Sequence, residues 1–119
     1  MLLRCGDIFY ADLDYLDGVK ESGLCPVIIL CNQMGSRYSP TVICAVITKE
    51  KDVKLPIHIK IEDEKYPLDA EAVIKVDIIH TLDKKRLRDK LYRVNDEIMG
   101  KVDVALKIIF CLNETLFGT

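Results

Sequence analysis

One apolar stretch carries two charged side chains and a histidine that could do chemistry. Lys75 and Asp77 are separated by one residue, which places both on the same face of a strand. His80 follows, and an imidazole can donate or accept a proton near pH 7. By pattern alone, a surface salt bridge between Lys75 and Asp77 and a structural histidine are common alternatives.

Cys25 and Thr48 are two further candidates, and each also has a structural alternative. A cysteine acts as an acid or base only if its pKa is shifted, and cysteine side chains are more often simply buried. The Thr48 hydroxyl can donate a hydrogen bond. It could equally be a β-branched strand residue beside a turn.

The cysteines and histidines do not favour metal chemistry. The five cysteines include neither a CxxC pair nor a Cys/His spacing typical of zinc sites. His58 and His80 are the only histidines, and neither lies in a metal-ligand motif. We therefore expect no metal and no other cofactor. Cys31 and Cys44 lie in apolar runs and are expected to be core residues.

Length and charge restrict the class of protein. The 119 residues suit one core, so we expect a single domain over 1–119. A net charge of −2 and an isoelectric point of about 5.7 do not indicate general nucleic-acid binding, which would need a local patch. There is no recognisable secretory signal, and no apolar run approaches the about 20 residues of a membrane span. We therefore expect a cytoplasmic protein with reduced thiols.

Short strands separated by turn signals make up most of the chain. Alternating patterns and continuous β-branched runs predict these strands, the last of them as one strand or two. The predicted strands span 7–13, 26–31, 41–48, 57–61 and 72–82. Polar loops over 14–24 and 32–40 separate the first three strands.

Two helices are predicted in the last third of the chain. Asp83 suits the N-cap of a short helix through Asp89, and a short strand over 91–94 follows. Asn95 suits the cap of a longer helix, whose apolar stripe continues to about Leu112. Many short strands with a terminal helix favour an antiparallel barrel over a βαβ fold.

Six segments, in order along the chain, carry a family resemblance. They are GDIFYADL at 6–13, PVIIL at 26–30 with Asn32, SPT at 39–41 with AVIT at 45–48, LPIHI at 55–59, TLDK at 81–84 with RL at 86–87, and DEIM at 96–99 with KV at 101–102. Together they resemble the MazF/PemK (Kid-like) toxins of type II toxin–antitoxin systems.

The resemblance implies a fold, an activity and partners. Family members are SH3-like antiparallel barrels with helices, here expected as a short helix and a C-terminal helix, and they form homodimers. Most are metal-independent endoribonucleases that cut single-stranded RNA. A cognate antitoxin peptide inhibits them by lying across the RNA groove, and operator DNA is expected as a partner only together with the antitoxin.

The resemblance also assigns roles to the candidate residues. Cleavage by 2′-hydroxyl attack needs a group to take the hydroxyl proton, one to protonate the leaving 5′-oxygen, and donors to stabilise the phosphorane. Thr48 matches a site residue at a strand end, and Cys25 occupies the position of the usual arginine before the second strand. Lys75 and Asp77 match an Arg-x-Asp pair, and His80 replaces an arginine that precedes a threonine.

Loop residues are the candidates for RNA contact. The loops at 14–24 and 32–40 would flank the groove, where Lys20, Arg37 and Tyr38 could contact phosphates or stack on bases. Solvated loop residues are the alternative, and that alternative is favoured for Lys20. A basic cluster around the short helix is interpreted first as a solvated face and second as a phosphate-attracting rim. It comprises Lys84, Lys85, Arg86, Arg88 and Lys90.

Departures from the family pattern leave a second hypothesis open. Cys5, Cys25 and His80 stand where arginine is usual, and Val19 replaces a histidine or serine in the first loop. A neutral thiol provides neither the charge nor the bidentate fork that arginine offers to phosphate. The alternative is therefore a weakened or inactive member, a dimer that binds nucleic acid or antitoxin without cleavage. A purely structural barrel has no positive feature in its favour.

Overall fold

The structure, a computed structural model, describes residues 3–14, 23–31, 38–68 and 71–112. Six strands within this part form one antiparallel sheet. They are β1 (Asp7–Asp12), β2 (Leu24–Ile29), β3 (Thr41–Lys49), β4 (His58–Lys60), β5 (Ala72–Asp83) and β6 (Leu87–Arg93). A helix, α1 (Asp96–Ile109), follows β6. The predicted mainly-β antiparallel fold with a C-terminal helix is confirmed.

Both faces of the sheet are buried, and each contributes to its own core. In the first core, Ile28 and Ala45 of the sheet pack with Val102 of α1. In the second core, Val27 and Cys44 pack on the opposite face. This double burial explains why β2 and β3 have continuous apolar sequences rather than alternating ones. Cys44 is fully buried there, as predicted.

The sheet curves so that its two edges approach each other over the first core. The strand order is β4-β5-β3-β2-β1-β6, which leaves β4 and β6 at opposite edges. Tyr66, which follows β4, packs edge-on against Tyr92 of β6 with ring centroids 5.5 Å apart. Both rings pack against the first core. A flat sheet could not bring these edges into contact, so the sheet has the curvature of the predicted barrel.

Two strand boundaries differ from prediction in ways that affect the site. β2 begins at Leu24, so Cys25 is a strand residue opposite Ala11 rather than a residue preceding the strand. β5 is one strand, but its register against β3 shifts. Ala45 pairs with Ile79 and Val46 pairs with Lys75, so residues 76–78 bulge out of this ladder.

The predicted short helix through Asp89 is wrong in length. Asp83 does cap a helical turn, since its carboxylate accepts a hydrogen bond from the Lys85 amide at 3.0 Å. That turn is a 3₁₀ segment, Lys84–Arg86. Leu87 is buried in the second core and pairs with Ala11 of β1, so the chain returns to the sheet at this residue.

The last helix begins as predicted and ends three residues early. The Asn95 side chain accepts a hydrogen bond from the Ile98 amide at 2.8 Å, as an N-cap does. After Ile109 the chain turns at Cys111, whose φ is +58°. The Leu112 amide donates to the Lys107 carbonyl at 2.7 Å, the pattern of a Schellman motif. This motif stops the helix before the predicted end at Leu112.

Candidate active site

A row of functional side chains crosses one face of the sheet. Lys75 of β5 pairs with Val46 of β3 on one side and with His58 of β4 on the other. Directly paired residues lie on the same face of a sheet, and so do residues two apart along a strand. Thr48 lies two residues after Val46 and therefore joins the face of Lys75 and His58. Cys25 lies two residues before Val27, which pairs with Val46. The row therefore contains Cys25, Thr48, Lys75 and His58.

Thr48 and Lys75 meet at a carboxylate. The Thr48 hydroxyl donates a hydrogen bond of 2.7 Å to Oε2 of Glu50, just beyond the end of β3. The Lys75 ammonium forms an ion pair with the same oxygen. Lys54 lies 3.6 Å from the other oxygen, Oε1. Two donors from different strands are thus directed at a single anionic oxygen.

These contacts set the protonation state of Glu50. The hydrogen bond from Lys75, and after it the one from Thr48, lower the pKa of the Glu50 carboxyl to about 2. The carboxylate is therefore ionised throughout the neutral range. The Lys75 side chain is only 13% exposed, so its charge faces Glu50 rather than bulk water.

Asp77 forms a separate pair with a buried histidine. Nε2 of His58 lies 2.7 Å from Oδ1 of Asp77. The His58 side chain is 6% exposed and that of Asp77 is 36% exposed, so the carboxylate is the solvent-facing member. Nδ1 of His58 has no hydrogen-bond partner among the described residues. Lys75 therefore pairs with Glu50, and Asp77 pairs with His58. The alternative of a surface salt bridge between Lys75 and Asp77 does not match these observed partners.

Cys25 lies on the face of the row but is mainly a packing residue. Its side chain is half-buried and packs against the second core. The Cys25 thiol therefore lies on the same side of the sheet as Thr48. Its role in catalysis stays a prediction.

His80 is distant from Glu50. It lies opposite Cys44, whereas Thr48 lies opposite Val73. Four residues along β3 correspond to about 13 Å. Its buried Nε2 has no hydrogen-bond partner within the described ranges. The structure therefore does not bring His80 together with the Thr48 and Lys75 side chains.

The predicted RNA-contacting residues are only partly described. Lys20 and Arg37 lie outside the described residues. Tyr38 is described, and its side chain is 79% exposed, as a base-stacking residue would need to be.

The basic cluster is largely balanced by the aspartates of β1. Arg86 and Arg88 lie 3.5 Å and 3.8 Å from Oδ2 of Asp12. Lys90 lies 3.2 Å from Oδ1 of the buried Asp7. These pairings favour the interpretation as a solvated, ion-paired face over that of a phosphate-attracting rim.

An apolar groove lies elsewhere, between α1 and the segment around β4. Its volume is about 590 Å³, and Val53, Pro56, Val104 and Ile108 supply much of its apolar lining. Val53, Val104 and Ile108 are each more than 40% exposed. Exposed apolar side chains on a neighbouring loop and helix are typical of an interaction surface.

Sequence reasoning missed Glu50 and the role of His58. No candidate site residue is predicted in 49–56, and the alternating pattern of the strand predicted at 57–61 gives no reason to single out its histidine. The sequence does contain one indication for Glu50. It lies two residues after Thr48, which predicts that the two side chains lie on the same face of the sheet. The hydrogen bond between His58 and Asp77 depends on the pairing of β4 with β5, which cannot be predicted from the sequence pattern.

Within the described ranges, no group of three or more His, Cys, Asp or Glu side chains is arranged to hold a metal ion. Among the helices of the described part, none is both long enough and apolar enough to cross a membrane.

Comparison with known proteins identifies the family. The sequence pattern described as the PemK-like, MazF-like toxin of type II toxin-antitoxin systems matches residues 4–110. Endoribonuclease EndoA of Bacillus subtilis (strain 168) is 41% identical over 113 residues, covering 94% of this chain and 97% of that protein.

Solved structures agree with this result. A mycobacterial endoribonuclease in complex with its cognate antitoxin is 25% identical with a TM-score of 0.77, covering 93% of this chain and 97% of that one. MazF of Deinococcus radiodurans shares the fold at 13% identity, with a TM-score of 0.80 and coverage of 94% and 99%. The chain therefore belongs to the PemK-like, MazF-like toxin family of type II toxin-antitoxin systems.

Proposed function

We propose that this chain is the toxin of a type II toxin–antitoxin system and a metal-independent endoribonuclease that cleaves single-stranded RNA. The observation that carries the proposal is the convergence of Thr48 and Lys75 on one anionic oxygen. A hydroxyl and an ammonium group directed at one point are suitable donors for a phosphate oxygen. The 41% identical relative from Bacillus subtilis is named an endoribonuclease, which supports the same activity here.

The site provides electrostatic stabilisation without a metal. As the 2′-hydroxyl attacks phosphorus, negative charge develops on the non-bridging oxygens of the phosphorane. The ammonium of Lys75 and the hydroxyl of Thr48 would stabilise that charge from fixed positions on neighbouring strands. Lys75 thereby supplies, from β5, the positive charge that Cys25 cannot supply from β2.

The proposed partners follow from the family and from the surface. A mycobacterial relative is seen with its cognate antitoxin, and we propose an antitoxin peptide as inhibitor here, with operator DNA bound only by the joint complex. A second copy of the chain would cover the exposed Val104 and Ile108 of the apolar groove in a homodimer. The proposed location is the cytoplasm, where RNA and antitoxin are both present.

Product chemistry tests the proposed activity. Purified protein in EDTA should cut a long unstructured RNA between pH 5 and 9 and leave 2′,3′-cyclic phosphate ends. A single 2′-deoxy substitution at a mapped site should abolish cutting there, because the attacking hydroxyl is gone. Expression should arrest growth, and co-expression of the neighbouring antitoxin should restore it. Intact RNA across this pH range would contradict the proposal.

A second candidate function is RNA or antitoxin binding without cleavage. The observation that favours it is the thiol of Cys25, which lies on the face of Thr48 but lacks a charge to offer phosphate. Under this alternative the purified protein binds RNA, leaves it intact and does not arrest growth.

A further inference from the structure

We infer that Glu50 is the general base of RNA cleavage, and that its carboxylate occupies the position of a phosphate oxygen until RNA arrives. The inference rests on the proposed function and assigns a role to a side chain outside the six sequence segments that carry the family resemblance.

The contacts of Glu50 are those expected for a bound phosphate. One carboxylate oxygen, Oε2, receives both the Thr48 hydroxyl at 2.7 Å and the Lys75 ammonium. A phosphodiester oxygen is also a compact anionic acceptor, so it competes for the same two donors. When it takes them, the Glu50 carboxylate must move aside.

Glu50 is placed so that it can move and remain close. It follows the last residue of β3, and residues 51–56 beyond it are exposed. Its side chain is 23% exposed, so part of the carboxylate already borders solvent. Lys54 lies 3.6 Å from Oε1 and offers a partner after Oε2 has been displaced. The displaced carboxylate then lies beside the ribose that carries the bound phosphate.

Displacement also makes Glu50 a better base. While Lys75 and Thr48 hold it, the pKa of its carboxyl is about 2, which makes it a weak proton acceptor. Loss of those two donors raises the pKa towards the ordinary value of 4.5. A general base is more effective as its pKa approaches the working pH. RNA binding therefore activates the group that the reaction needs.

The proton balance of the step is complete. The 2′-O–H bond breaks and its proton passes to Glu50, while the 2′-oxygen forms a bond to phosphorus. The bond from phosphorus to the 5′-oxygen breaks, and that oxygen takes a proton from water. The products are a 2′,3′-cyclic phosphate and a 5′-hydroxyl, and protonated Glu50 returns its proton to solvent.

Asp77 and His58 are the other acid–base candidates close to this site, and they fit the role less well. Oδ1 of Asp77 is already engaged by Nε2 of His58. The His58 ring is 94% buried, since its side chain is 6% exposed, and cannot reach a ribose. Neither residue contacts Thr48 or Lys75 in the hydrogen bonds and ion pairs described above. Glu50 is the group that touches both phosphate donors.

The test compares Glu50→Gln with Glu64→Gln, the same chemical change at an exposed glutamate outside the site. Single-turnover cleavage of RNA is measured against pH, and Kd is measured for the same oligonucleotide with a 2′-deoxy substitution at the cut site. Circular dichroism checks that each variant is folded, and Glu50→Asp provides a second variant that keeps the carboxylate.

We expect Glu50→Gln to lower the cleavage rate about 100-fold or more. It should also remove the acidic limb of the pH–rate profile and bind the 2′-deoxy oligonucleotide at least as tightly as wild type. Glu64→Gln should match wild type, and Glu50→Asp should retain part of the rate and the acidic limb.

Four results would overturn the inference. Cleavage by Glu50→Gln at the wild-type rate excludes a base at this position. If Glu50→Gln loses cleavage rate and affinity for the 2′-deoxy oligonucleotide to the same extent, Glu50 only supports the structure of the site. The same conclusion follows if the pH–rate profile of Glu50→Asp lacks the acidic limb. If wild type binds RNA without cutting it, the proposed function itself fails, and the base role fails with it.

Discussion

Thr48 and Lys75 lie on adjacent strands and donate to the same oxygen of Glu50, although 26 residues separate them in the sequence. The antiparallel pairing of β3 with β5 creates this proximity. The contact directs two donors at one anionic oxygen without an arginine at position 25. In the proposed mechanism, the positive charge that cleavage requires comes from Lys75 on β5.

Restoring arginine at position 25 should increase activity. Cys25 lies on the face of Thr48, so the guanidinium of a Cys25→Arg variant can reach the same phosphate and bind it with two hydrogen bonds. We expect at least a 10-fold gain in single-turnover cleavage, which corresponds to about 1.4 kcal/mol. Cys25→Ser is the control and should leave the rate near that of wild type. An unchanged rate in Cys25→Arg would show that position 25 lies too far from the phosphate.

The Glu50 contacts should make stability depend on pH in the acid range. The pKa of this carboxyl is lower in the folded chain than its ordinary value, so the ionised form is the stabilising one. Its stabilisation is complete above about pH 4.5 and is lost as the pH falls towards 2. Thermal unfolding of wild type and Glu50→Gln should therefore differ at pH 7 and converge near pH 2. A difference that stays constant from pH 7 to 2 would contradict this account.

Much of the fold was predictable because its causes are local. The alternation and apolar runs located the strands, and Asn95 located the start of α1, since a cap acts through a hydrogen bond to a residue three positions away. At Lys84–Arg86 the sequence predicts a longer helix than the 3₁₀ turn that forms. The helix ends there because Leu87 is buried in the second core, and this burial is a tertiary contact.

The site was less predictable than the fold, for the same reason. Lys75 and Asp77 were correctly placed on one strand, but their partners Glu50 and His58 come from elsewhere in the chain. The bulge at residues 76–78 depends on the pairing of β3 with β5 and has no clear local signal. Cross-strand ion pairs require register, and register requires the folded sheet.

The Asn95 cap offers a direct test of the start of α1. Asn95→Ala removes the acceptor of the Ile98 amide and should lower the free energy of unfolding by about 1 kcal/mol. This corresponds to a fall of about 4 °C in the melting temperature. Asn95→Ser keeps a side-chain oxygen for the cap and places no second carboxylate beside Asp63, so it should remain close to wild type. Equal melting temperatures for Asn95→Ala and wild type would show that the cap does not contribute.

The Tyr66 hydroxyl should be dispensable. It is buried without a hydrogen-bond partner among the described residues, and burial raises the pKa of its phenol to about 12. Tyr66→Phe removes this unsatisfied group and keeps the ring contact with Tyr92. The free energy of unfolding, measured in urea, should stay the same or rise by up to about 1 kcal/mol. Tyr66→Ala, which removes the ring, should be strongly destabilised; a similar loss in Tyr66→Phe would reveal a partner for the hydroxyl.

RNA cleavage by this chain is proposed to depend on two donors, Thr48 and Lys75. The most direct test is single-turnover cleavage in EDTA by wild type, Thr48→Val and Lys75→Met, with Thr48→Ser and Lys75→Arg as variants that keep the donors. We predict that wild type cleaves, that each donor-free variant is about 100-fold to 1,000-fold slower, and that the conservative variants recover most of the rate. RNA left intact by wild type, or cleaved equally fast by Thr48→Val and Lys75→Met, would contradict the account.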